Sequence, residues 1–167
     1  MLERLSNVLA RIFLVGAAAL MAGHASAEAP ATGKPSPFVE DASPADFPKT
    51  LDAFRAEVKA AGWSIVTEHN LAGNLSARGY TLQPVMVLEI CNAKFAAQLL
   101  SRDESRSVSS MMPCRVSIYR TSTGKVMISR MNAPLVASML EGEAAEVALK
   151  ANSEMETVIK KTLDRVK

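Results

Sequence analysis

Histidine, cysteine and aromatic residues are all scarce in this 167-residue chain, which holds two His, two Cys and 5% Phe, Trp and Tyr together. His24 lies in an apolar N-terminal segment, so His69 is the single histidine of the remainder. A zinc or haem centre built on imidazole has too few ligands here. The cysteines, Cys91 and Cys114, lack the Cys-x-x-Cys spacing of thioredoxin-like dithiols. No nucleophile elbow and no paired-carboxylate motif occurs. An excess of one charge is missing as well. Without residues 1–27 the 19 basic and 17 acidic residues lose Arg4, Arg11 and Glu3 and become 17 and 16, a net charge of +1. Those charges are scattered, so no basic stripe points to nucleic acid or to an anionic membrane surface.

Long apolar runs are missing except near the start. Arg4 and Arg11 form a basic opening, Ile12 to Gly23 is apolar, and Ala25-Ser26-Ala27 offers the small residues a signal peptidase reads. The run falls short of the ~18 residues a membrane span needs. Residues 1–27 are expected to be a signal peptide, and the processed chain to be a soluble periplasmic protein with no membrane association after cleavage. Residues 28–48 carry Pro30, Pro35, Pro37, Pro44 and Pro48 among small residues and read as a Pro-rich flexible linker. Phe38, Val39 and Phe47 within it could dock on the domain as a short edge strand.

Residues 49–167 read as a single domain. Thr50 is the expected cap of a helix with Leu51, Phe54, Val58 and Ala61 on one stripe, ended by Gly62. In the strand from Trp63 to Thr67, alternation puts Trp63, Ile65 and Thr67 on one side and Ser64, Val66 and Glu68 on the other. Leu71 to Arg78 is a short helix. Val85 to Ile90 is apolar on both faces and so reads as a central strand. Asn92 then caps a helix carrying Phe95, Ala96, Leu99 and Leu100 at helical spacing. Ser101 to Ser110 reads as loop. Arg115–Thr121 and Lys125–Met131 form a hairpin across Ser122-Thr123-Gly124, and Asn132-Ala133-Pro134 breaks the pattern. From Glu141 onward Val147, Ala151, Met155, Val158 or Ile159, and Leu163 form the stripe of a long helix. Glu156 falls on its polar side, where truncation is expected to change little. The fold class is therefore α+β, a two-layer sandwich of a mainly antiparallel sheet with helices packed on one face.

Gly-Trp-Ser-Ile-Val-Thr-Glu, then Leu-Glu-Ile-Cys-Asn-Ala-Lys-Phe-Ala-Ala-Gln-Leu-Leu, then Met-Pro-Cys-Arg-Val-Ser-Ile-Tyr followed by Gly-Lys-Val, resembles the bacterial domain of unknown function 302 family from about Thr50 to Leu140. Its marks fall on Gly62, Cys91, Asn92, Ala96, Pro113, Cys114 and Gly124. Ala93 stands where the family usually has Pro after Cys-Asn. The resemblance implies a small α/β domain that can pair as a homodimer, and it implies no established activity.

Cys91, Asn92 and Cys114 are the candidate binding residues. Two cysteines in an exported protein suggest a disulfide between Cys91 and Cys114. Alternation instead directs Cys91 away from the core face on which Cys114 lines up with Val116 and Ile118, so two separate thiols remain open. Cys91 also precedes a helix N-terminus, where amides and dipole stabilise a thiolate, which makes it the candidate nucleophile. His69 and Glu89 would supply a base and an orienting group for it or for Cys114. No cofactor is required, though Cys91, Cys114, Met111 and Met112 form a donor set suited to Cu(I). The function expected is binding of a small ligand, a soft metal or a partner subunit; the alternative is a thiol-dependent periplasmic enzyme or redox protein using Cys91. Mass spectrometry of protein recovered from the periplasm should show a chain beginning at Glu28, and an intact chain from Met1 in the membrane fraction would overturn the processing.

Overall fold

The computed structural model of the protein describes residues 35–167. The expected signal peptide and residues 28–34 of the expected linker lie outside them. The chain runs β1 (Phe38–Ser43), α1 (Phe47–Ala60), β2 (Ser64–Asn70), α2 (Leu71–Ser76), β3 (Val85–Cys91), α3 (Ala93–Leu100), α4 (Asp103–Arg106), a 3₁₀ turn (Ser107–Met111), β4 (Cys114–Arg120), β5 (Val126–Met131), α5 (Ala133–Ala137) and α6 (Gly142–Arg165). The five strands form one antiparallel sheet in the order β1-β5-β4-β3-β2. Its inward residues Leu88, Ile90, Val116, Ile118, Val126 and Ile128 are buried in one cluster with Leu51, Phe54 and Val58 of α1 and Val147, Met155, Val158 and Ile159 of α6. This is the expected α+β sandwich. β3 is flanked on both sides, as two apolar faces require, although β4 holds the middle position. Among the described residues no helix is long and apolar enough to cross a membrane.

The linker does not extend to residue 48. Phe38–Ser43 pairs residue for residue with β5, from Phe38 opposite Met131 to Ser43 opposite Val126. An edge strand tolerates flanking prolines because it needs ladder hydrogen bonds on one side only. Asp46, not Thr50, caps α1, accepting from the Lys49 amide at 2.9 Å. Pro48 then sits in the first turn, where its missing N–H costs nothing. Thr50 is buried one turn inside, its hydroxyl 2.7 Å from that of Ser43.

Simple alternation fails in β2 because the register against β3 shifts between Ile65 and Thr67. One extra residue at a bulge exchanges the faces of everything beyond it. Glu68 consequently stands opposite inward-facing Leu88, and Arg55 of α1 donates to it from Nε at 2.9 Å. That hydrogen bond holds the Glu68 carboxyl below the usual carboxylate range, against the opposing effect of burial. Two other expectations fail at helix starts. The supposed loop 101–110 contains α4 and most of the 3₁₀ turn, anchored where the buried Ser105 hydroxyl donates to the Leu99 carbonyl at 2.6 Å. Asn132-Ala133-Pro134 is a cap and first turn opening α5.

The placement of Glu156 is the largest correction. Arg130 of β5 points inward and its side chain is 7% exposed. Its guanidinium meets Glu156 through Nε at 2.9 Å and a second, closer contact, and it also meets Asp41 of β1. Burial works against the charge, but Glu156 and then Asp41 outweigh it and raise the guanidinium's proton affinity. Glu156→Ala should therefore cost roughly 1–3 kcal/mol, because a buried cation loses its bidentate partner while Asp41 remains. Replacing both partners, Arg130→Met with Glu156→Leu, should recover most of that loss in urea melts. A single variant as stable as wild type would mean the pair adds nothing.

Candidate functional site

The small residues of α6 explain where the molecule is open. Met155, Val158 and Ile159 fill the space over the sheet along its second half. Toward the cavity its first half presents Ala148 and Ala151 beside Val147, and the single methyl groups of the alanines leave room. A cavity of about 180 Å³ lies there, bounded by Ala148 and Ala151 of α6, by Phe95 and Leu99 of α3, and by Val136 and Leu140 around α5. Its floor is the end of the sheet, at Ile90, Cys91, Cys114 and Val116.

Local sequence sets this end of the sheet. β3 must stop at Cys91 because Asn92, in extended conformation, turns its Oδ1 back to accept from the Lys94 amide at 3.0 Å and starts α3. Glu154 of α6 holds that junction from above. Its Oε2 accepts from Trp63 Nε1 at 3.0 Å and lies 3.4 Å from Asn92 Nδ2. Trp63 is buried with its ring 6.1 Å from that of Phe95, and both line the cavity.

Cys91, Asn92, Cys114, Met111 and Met112 all line this one cavity, so the structure brings the expected binding residues and soft donors together. Both thiols are free. Cys114 stands opposite Ile90 in the β3–β4 ladder, one residue from Cys91. Adjacent strands and one residue of offset put the two Cα atoms about 6 Å apart. Cys114 touches solvent at the mouth but is crowded by protein; burial first, and then neighbouring Cys91, push its thiol above the ordinary value.

His69 and Cys91 are not brought together. His69 pairs with Val87, four positions before Cys91 along β3. At about 3.3 Å per residue the two are ~13 Å apart, beyond any proton transfer. His69 does reach Glu89, its Nε2 lying 3.2 Å from Oε1 without hydrogen-bond geometry, and Arg115 Nη2 approaches the same oxygen at 3.2 Å. Among the described residues no group of three or more His, Cys, Asp or Glu could hold a metal ion. Sequence reading missed Arg115, Met131 and Asn152, which also line the cavity. Of these Arg115 and Met131, the terminal residues of the two expected hairpin strands, carried a legible signal.

Fold and site together define a small α+β domain with an apolar cavity lined by two cysteines. The chain belongs to the family described as "Domain of unknown function DUF302", which matches residues 39–162. It is similar to the crystal structure of an uncharacterized conserved DUF302 protein from Bacillus stearothermophilus, with a TM-score of 0.66 and 20% identity over 80% of this chain and 100% of that one. At that identity the likeness speaks for the fold. No curated protein matches the chain.

Asn92→Ala should lower stability by about 1 kcal/mol through loss of the cap, and Asn92→Ser or Asn92→Asp should restore most of it. Urea midpoints of the three variants check this; equal losses for all three would shift the role of Asn92 from capping to its contact with Glu154.

Proposed function

We propose that this protein is an exported, periplasmic binding domain whose cavity takes up a compact apolar molecule. Export is supported by the basic start, the apolar run and Ala25-Ser26-Ala27. The observation that carries the binding reading is the cavity itself, walled by Phe95, Leu99, Val136, Leu140, Ala148 and Ala151, with Asn92, Asn152 and Arg115 as polar groups on its lining. An apolar cavity of order 150 Å³ stays dry and accepts a ring the size of benzene. About 180 Å³ suits one aromatic ring or a short branched alkyl group rather than an extended acyl chain. Convergent polar groups would orient a hydroxyl or carbonyl on such a molecule. The rival reading, a thiol enzyme using Cys91, is less well supported, since His69 stands ~13 Å along the sheet from Cys91. Pairing of two copies rests on the family resemblance.

Benzene, indole and naphthalene serve as probes in thermal melts of the processed chain. A probe at about a hundred times its Kd should stabilise the protein by about 2.7 kcal/mol. Ala151→Phe, which places a ring in the cavity, should abolish that response, while Thr157→Ala on the exposed side of α6 should leave it intact. Failure of all three probes to stabilise the wild-type protein, or an undiminished response in a folded Ala151→Phe variant, would overturn the reading.

A further inference from the structure

The residues 35–167 contain nine sulfur-bearing side chains, and six of them line the cavity just described: Cys91, Met111, Met112, Cys114, Met131 and Met155. Three of the six stand on neighbouring strand ends. Cys91 is the last residue of β3, Cys114 the first of β4, and Met131 the last of β5, and those strands are adjacent in the sheet. Met111 and Met112 reach the same place from the turn that leads into β4. Core filling alone scatters methionine over a domain; here the remaining three, Met86, Met127 and Met139, are elsewhere.

We propose that the mouth of this cavity is a binding site for one soft monovalent metal ion, Cu(I), held by Cys91 and Cys114 with a thioether from the Met111–Met112 pair. The proposal goes beyond the apolar-ligand reading and does not depend on it. Donor chemistry selects the metal. Two thiolates and thioethers without imidazole or carboxylate suit a soft d¹⁰ ion of low coordination number, and thioethers discriminate against zinc, calcium and magnesium. The Glu89 carboxylate near this site is ion-paired with Arg115 Nη2 at 3.2 Å. An apolar wall also limits access of water to a bound ion. Binding replaces two S–H bonds by two Cu–S bonds and releases two protons to solvent, and copper remains Cu(I) throughout.

The site is tested by anaerobic titration of the reduced, processed chain with Cu(I) in competition with a bicinchoninate chelator. One ion per chain is expected. Cys91→Ser and Cys114→Ser should each weaken binding at least a hundredfold. Met111→Leu with Met112→Leu, which keeps apolar volume, should weaken it about tenfold. Met139→Leu, outside the cavity, should change nothing, and Zn(II) should fail to displace the ion. Circular dichroism of every variant reports folding. A stoichiometry of two, with each cysteine binding independently, would overturn the proposal, as would unchanged affinity in either folded cysteine variant. Unchanged affinity in the double methionine variant would overturn the assigned thioether. Uptake of indole by Cys91→Ser keeps this outcome separate from the apolar-ligand reading.

Discussion

The rest of the structure depends on how α6 is divided against the sheet. One helix of 24 residues lies over the core with most of its bulky buried side chains in its second half and mainly alanines, with Val147, in its first. Close packing makes that difference a matter of geometry, since a leucine-sized gap left by an alanine must be filled by a neighbour or remain open. α1 closes the bulky end, where Leu51, Phe54 and Val58 meet Val158 and Ile159. Over the alanine end α3 and α5 are short, and the space beneath them stays open at the place where β3, β4 and β5 end. Arg130 lies at the boundary between these halves. It lines the cavity on one side, while its ion pairs with Glu156 and Asp41 tie α6, β5 and β1 together.

Much of this was legible because the signals were local and periodic. The long stripe of α6, the Gly124 turn, the helix after Asn92 and the two inward faces of β3 and β4 all follow from spacing that one residue type in the next turn or strand confirms. The failures share a cause too. The bulge in β2 is a property of pairing with β3, and no alternation within Trp63-Ser64-Ile65-Val66-Thr67-Glu68 announces it. Glu156 looks like a solvated charge until β5 supplies a buried guanidinium beside it. Pro37, Pro44 and Pro48 looked like linker because composition reports the cost of ordering a segment and is silent on the ladder that β5 offers it. Short-range capping was recoverable in principle: Asp46-Phe47-Pro48 is a cap followed by proline in the first turn.

The candidate site shows the same division. Its cysteines and the Met-Met pair were visible as residue types, whereas their meeting required the order of the strands. Alternation placed Cys91 and Cys114 on opposite faces, and within the ladder this is correct, since inward Ile90 is the partner of Cys114. Both nevertheless reach the cavity because they are terminal residues, one leaving its strand and the other entering, where the pleat no longer dictates direction. The His69–Glu89 pair was likewise visible as types; strand register places His69 opposite Val87, four positions from Cys91, while Glu89 stands two positions from it. Binding needs only the sulfur and the wall, which the strand ends and the alanines of α6 bring together.

An apolar molecule deep in the cavity and a soft ion at its mouth would share one lining, in which Met112 faces both. Linkage then fixes how the two occupants relate. Whatever factor an ion at Cys91 and Cys114 applies to the affinity for an apolar ring, the ring applies to the affinity for the ion. The sign follows from packing. Met112 is both a partly buried neighbour of the core and a lining residue, so directing its thioether toward the mouth withdraws its methyl group from the interior. That withdrawal enlarges the space available to the ring, while the ring supplies the contacts that the empty cavity lacks. If Met112 supplied the thioether, the two occupants would favour one another through its flexible side chain.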